Sequence, residues 1–119
     1  MEKKQIITDI IFMPKRFYDQ GNISIYKLLK ESGYFEYYNE VSERDIFEVL
    51  GEHSECINQW IGYSEDKRTS SGWCFIDKTG GRYSVEFYPF NKNLKTEYLD
   101  PREACASFIK KEIERIRTR

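Results

Sequence analysis

Apolar positions recur along this chain with two different periods. Over residues 70–90 (SSGWCFIDKTGGRYSVEFYPF) two runs of aromatic and β-branched residues flank Thr79-Gly80-Gly81. Glycine there permits the positive φ that tight hairpin turns require, so the stretch predicts a β-hairpin. In the second run Tyr83, Val85 and Phe87 alternate with Arg82, Ser84 and Glu86, which sets a buried face against a wetter one. The first run is apolar on both faces, Trp73 and Phe75 on one, Cys74 and Ile76 on the other. That pattern predicts a central strand covered on both sides. After the Asn91-Lys92-Asn93 turn, residues 94–99 predict a third strand, antiparallel to the second.

Elsewhere the spacing is helical. Ile25, Leu28 and Leu29 define a helix over residues 24–32, stopped by Gly33. Ser42 opens a second, with Glu43 and Asp45 at its positive end, Ile46, Val49 and Leu50 on its apolar face, and Gly51 at its close. Ser54 opens a third, in which Ile57, Trp60 and Ile61 share a face. Ile57, Gln59, Ile61 and Tyr63 also alternate as in a strand, and the helix is the preferred reading. Ile6, Ile7, Ile10 and Ile11 fit helix and strand alike, before Pro14 and residues 19–22 break the pattern. The last helix has the fullest signature. Asp100 caps it, Pro101 occupies its first turn, and Glu103 completes a capping box. Its stripe is Ala104, Cys105, Phe108, Ile109, Ile113 and Ile116, and its basic end complements the helix dipole. Residues 34–40 form an aromatic and acidic connector. Residues 64–71 are polar, either the frayed end of the third helix or a loop into the hairpin. The expected class is α+β, one domain: an antiparallel sheet of about three strands around the hairpin 72–90, packed against N-terminal helices and a long C-terminal helix.

Composition narrows the function. The 119 residues suffice for a real core, and 16% aromatics argue against disorder. A net charge of −1 favours neither nucleic acid nor an acidic membrane. No run has the ~20 apolar residues of a membrane span, and Asp9 interrupts the only signal-like patch. Cys56, Cys74 and Cys105 are odd in number and lie in apolar contexts, as buried free thiols in a reducing cytoplasm would.

Nucleophilic and metal chemistry find little support. The single histidine, His53, sits beside Ser54 and near Cys56, but adjacency along the chain seldom brings base to nucleophile. The cysteines lack the paired spacing of a zinc site. Carboxylates are more numerous: Glu36, Glu40, Glu43, Asp45, Glu48, Glu52 and Glu55 are opposed within their own stretch only by Arg44. They fit an acid–base pair, a solvated helix face, or a negative docking surface that steers a basic partner. Tyr34, Phe35, Tyr37 and Tyr38 lie beside them and suit either partner anchors or core. The run Lys67-Arg68-Thr69-Ser70-Ser71-Gly72 lacks the spacing of a P-loop and reads as a hydrophilic connector. Arg68 could pair with Glu65 or with the acidic helix.

One set of residues carries a resemblance: Tyr63-Ser64-Glu65-Asp66-Lys67-Arg68, Ser71-Gly72-Trp73, Tyr83-x-Val85, and Asp100-Pro101-x-Glu103-Ala104-Cys105-Ala106-x-Phe108-Ile109. Over about residues 60–113 the chain resembles small bacterial immunity proteins of polymorphic toxin systems, contact-dependent growth inhibition among them. The resemblance implies a cytoplasmic, non-enzymatic protein that binds and blocks a toxin domain, often a nuclease. Charge logic places the partner-binding residues at Glu36, Tyr37, Tyr38, Glu40, Glu43, Asp45, Glu48 and Arg68, since a nuclease site is basic. No catalytic residue, cofactor, metal, membrane or direct nucleic-acid contact is expected. The alternative is a small enzyme or ligand-binding domain with a cleft lined by carboxylates and Arg68.

Overall fold

Short polar side chains begin three of the helices. Ser24 accepts the Lys27 N–H at 3.1 Å, Ser42 accepts that of Asp45 at 3.1 Å, and Asp100 accepts that of Arg102 at 3.0 Å. Each satisfies a donor that the first helical turn leaves without a partner. The computed structural model describes residues 2–66, 71–89 and 92–119. In chain order the helices are α1 (Lys3–Ile11), α2 (Met13–Gln20), α3 (Ile25–Ser32), α4 (Tyr34–Tyr37), α5 (Glu43–Leu50) and α6 (Cys56–Asp66). The strands β1 (Gly72–Asp77), β2 (Tyr83–Tyr88) and β3 (Lys95–Tyr98) follow, and α7 (Pro101–Thr118) closes the fold. The architecture is α+β: an antiparallel three-stranded sheet packed with helices around a long C-terminal helix.

The isoleucine-rich start is helical. Ile6, Ile7, Ile10 and Ile11 fall on one face of α1 and are all buried. Each contributes about 1.5–3 kcal/mol of apolar burial, which offsets the weak helix propensity of β-branched residues. Pro14 lies in the first turn of α2, where no N–H is needed. The stretch from Cys56 is also a helix. The Trp60 indole N–H donates to the last carbonyl of α1, Ile11 O, at 3.0 Å. The buried face of α6 is Cys56, Trp60, Tyr63 and Ser64, so Ile57 and Ile61 lie at its margins rather than sharing its centre.

The strand order β1-β2-β3 corrects the expectation that Trp73–Ile76 forms the central strand. β2 is central, and β1 is an edge. Its apolar character on both faces has another cause: α6 flanks that edge. The Ser64 hydroxyl accepts the outward Phe75 N–H at 2.7 Å, replacing the missing strand. The register pairs Trp73 with Phe87, Phe75 with Val85 and Cys74 with Glu86 across the hairpin. Thr79, Gly80 and Gly81 all adopt positive φ in its turn.

A second correction concerns the face of β2 expected to be wet. Ser84 and Glu86 are buried there. Ser84 donates to the Glu86 carboxylate at 2.8 Å, and Lys78 and Lys95 approach that carboxylate at 3.5 and 3.7 Å. Burial is tolerated because the charge is paired on two sides.

The core centres on α7. From Ala104 to Ile109 every residue is buried, because α5, α6 and the sheet surround that stretch. Phe108 meets Phe75 at 5.8 Å and Trp60 at 6.0 Å between ring centroids. Cys56, Cys74 and Cys105 are all buried and outside any disulfide, and burial pushes the Cys56 pKa up to about 11.

Candidate docking surface

The aromatic connector is folded rather than extended. Gly33 ends α3 with φ of 92°, a left-handed turn open to glycine, and the chain re-enters helix as α4 followed by a 3-10 turn at Tyr38–Glu40. Three side chains of α7 hold this segment in place. The Lys110 ammonium donates to Tyr34 Oη at 2.9 Å, Val41 O at 2.7 Å and Tyr38 O at 3.3 Å. The Tyr34 hydroxyl donates to the Glu114 carboxylate, which in turn accepts two hydrogen bonds from Arg117 at 3.0 and 2.9 Å. Burial, reinforced by Glu114, pushes the Tyr34 phenol well above its ordinary value. Burial also lowers the Lys110 pKa, and the Arg117 bonds hold the Glu114 carboxyl below its ordinary range.

This anchoring sorts the aromatic candidates. Tyr34 is core, and Tyr37 is half-buried against it. Tyr38 is 38% exposed, with the Arg117 guanidinium 3.7 Å from its ring centroid. Its outer part is available to a partner while the cation holds the ring in one orientation.

The acidic candidates also divide. Asp45 completes a capping box on α5 by accepting the Ser42 N–H at 3.0 Å, and it pairs with Lys3 at 3.4 Å. That backbone bond, more than the lysine, holds its carboxyl below the usual range. Glu48 pairs with Arg44 at 3.2 Å. Glu52, from the same acidic stretch, pairs with Lys4 at 2.9 Å. Folding thus brings cations from α1 onto a stretch that has only Arg44 of its own. Glu36, Glu40 and Glu43 are exposed, with no cation in ion-pair range among the described residues. Arg68 lies outside the described residues.

Glu43 opens onto a groove of about 160 Å³ between α5, β3 and α7, which Arg44, Phe47, Tyr98, Glu103 and Ala106 complete. Phe47 forms part of its wall, with the Arg102 guanidinium 3.9 Å and that of Arg44 5.1 Å from its ring centroid. Arg102 is fixed there because its Nε donates to Phe47 O at 2.6 Å and its Nη2 to Glu48 O at 3.3 Å, closing the C-terminal end of α5. Tyr98 is oriented by donating to Ser107 Oγ at 2.9 Å. Glu103 does not return a bond to the Asp100 N–H, so the expected capping box is absent; the carboxylate lines the groove instead, again without a cation in range among the described residues. Chemically the groove offers the solvated carboxylates of Glu43 and Glu103 as acceptors for a partner's arginine or lysine, beside a Phe47 ring that Arg44 and Arg102 already approach.

Sequence reasoning selected Glu43 but not Glu103, Phe47 or Tyr98. One signal was available: Phe47 is a large aromatic off the apolar face that Ile46, Val49 and Leu50 define. Nothing local places β3 and the first turn of α7 opposite it.

Compared with protein-family models, curated proteins and solved structures, the chain matches none. Among the described residues no helix is long and apolar enough to cross a membrane.

Proposed function

We propose that this chain is an immunity protein, a cytoplasmic binding protein that neutralises a cognate bacterial toxin domain such as a nuclease without catalysing a reaction itself. The observation that carries the reading is the pair of exposed carboxylates Glu43 and Glu103, neither with a cation in ion-pair range among the described residues, at the groove of Phe47 and Tyr98, with Glu36 and Glu40 exposed on the segment before α5. A surface like this complements the basic site with which a nuclease holds phosphates. Its acidity is local, which reconciles docking with a net charge of only −1. The aromatic rings would anchor what the charges steer. The resemblance over residues 60–113 points the same way.

The test is co-expression and pull-down with the product of the adjacent upstream gene. A stable complex, with rescue of growth from the toxic partner, is expected. Absence of both binding and rescue would sink the reading.

A further inference from the structure

A second concavity shares no residue with the docking groove. It lies between α2, α3 and α6 and is lined by Phe17, Tyr18, Ile25, Tyr63 and Asp66, with a volume of about 270 Å³. Three of the five are aromatic. The Phe17 and Tyr18 rings stand edge to face at 5.6 Å between centroids. Tyr18 is 49% exposed, and its hydroxyl donates to the Asp66 carboxylate, which fixes the ring across the opening. Tyr63 is buried at the base, and its hydroxyl donates to Glu112 at 2.6 Å. Tyr63 and Asp66 both belong to the segment that carries the family resemblance, yet neither has a part in the docking surface.

We propose that this groove is a binding site for a small organic cation of the quaternary ammonium class. Aromatic rings present a negative face to a cation, and a nearby carboxylate adds a full charge. Asp66 has no cation in ion-pair range among the described residues, its contact being the neutral Tyr18 phenol. Arg119, which acts on Tyr63 from the end of α7, offsets part of the Asp66 charge. Burial and Asp66 together push the Tyr18 phenol up to about 12, so it stays a neutral donor at any physiological pH.

The same chemistry selects alkylated over primary ammonium. A primary ammonium entering the groove surrenders water and needs three acceptors, and Asp66 is the one charged acceptor in the lining. A quaternary head spreads its charge over methyl groups that need no acceptor and pack on Phe17, Ile25 and Tyr63. The volume falls just below the roughly 300 Å³ at which drug-sized ligand sites begin, which restricts the guest to a compact head group.

Calorimetric titration of the whole chain with choline, and separately with its neutral isostere 3,3-dimethylbutan-1-ol, tests the assignment. Saturable one-to-one binding of choline is expected, roughly ten-fold tighter than the isostere, as a cation–π contribution supplies. Asp66→Asn keeps an acceptor for Tyr18 and should weaken choline several-fold without changing the isostere. Tyr18→Leu keeps apolar bulk at an exposed position and should weaken choline selectively. Equal affinity for the two ligands would reduce the groove to an apolar slot and overturn the proposal. So would no binding at millimolar ligand, or choline binding untouched by both substitutions. Phosphatidylcholine vesicles present the same head group. Flotation with vesicles in the absence of binding to free choline would overturn the small-molecule assignment. None of these outcomes depends on whether the toxin partner is found.

Discussion

At the scale of single residues, stability rests on side chains whose partners are far away in sequence. Phe108 is fully buried between Phe75 and Trp60, so Phe108→Ala should cost about 3–5 kcal/mol in a urea titration, as truncations of buried aromatics do. A loss under roughly 1 kcal/mol would mean that the stripe of α7 is not core. Ser64 is a small polar residue with a specific task. Ser64→Ala strands the Phe75 N–H at a buried strand edge and should cost about 1–3 kcal/mol, far more than a hydroxyl deletion on a surface. Amide exchange at Phe75 should rise in that variant; unchanged protection would show that another group takes over as acceptor. Of the tyrosines chosen from sequence, Tyr37 packs on the core and Tyr38 under Arg117, a difference that adjacent identical residues cannot show.

At the scale of elements, α5 is where stability and the proposed docking surface meet. Its capping box, its Lys3–Asp45 pair with α1 and its link to Arg102 hold it in place, and a fixed position is what a preorganised charged surface needs. Gly51 is part of that link for a reason of space. Its φ is ordinary, but a Cβ there would lie 2.3 Å from Arg102 Nη2. Gly51→Ala should therefore displace the guanidinium from the end of α5 at a cost of about 1 kcal/mol or less, since the tip of a flexible side chain can swing away and water can reach the carbonyls it leaves. Combining it with Arg102→Ala should cost clearly less than the two singly, since both remove one interaction; full additivity in a double-mutant cycle would disprove the coupling. Charge reversal on the outer side of the helix should act differently. Glu43→Lys should leave stability within about 0.5 kcal/mol and, if the proposed toxin partner docks here, slow association with it and flatten its salt dependence. Stopped-flow kinetics at two ionic strengths would read this, and unchanged rates would move the interface off α5.

At the scale of the whole molecule, charge pairing sets the acid limit of stability. The carboxyls of Asp45 and Glu114 are held below their ordinary 3.8 and 4.5 by hydrogen bonds to the Ser42 backbone and to Arg117 respectively. A carboxylate with a depressed folded pKa stabilises the fold above its unfolded pKa, and that stabilisation disappears as pH falls through the folded value. Thermal midpoints should hold from neutrality down to about pH 4.5 and fall below it. Glu114→Gln should shallow that acid slope. An identical slope in the variant would remove Glu114 from the account.

The sequence by itself determined the local elements. Ser24, Ser42, Asp100 and the Thr79-Gly80-Gly81 turn act within a few residues of themselves, so the α+β class and the long last helix were legible from them, whereas the isoleucines of α1 fitted helix and strand alike. Glu43 was legible for the same reason as an exposed acid in a first helical turn. Tertiary structure alone decided which strand is central, because an edge protected by a helix and a strand between neighbours show the same two-sided apolar pattern. It alone buried Glu86, by bringing Lys78 and Lys95 to either side, and neutralised part of the acidic stretch with lysines from α1 some forty residues earlier. It alone set Glu103 and Tyr98 across from Phe47, and Tyr18 across from Asp66. Propensity and capping are short-range and can be read along the chain, whereas pairing of charges and closure of grooves depend on distances that exist only after the core has packed.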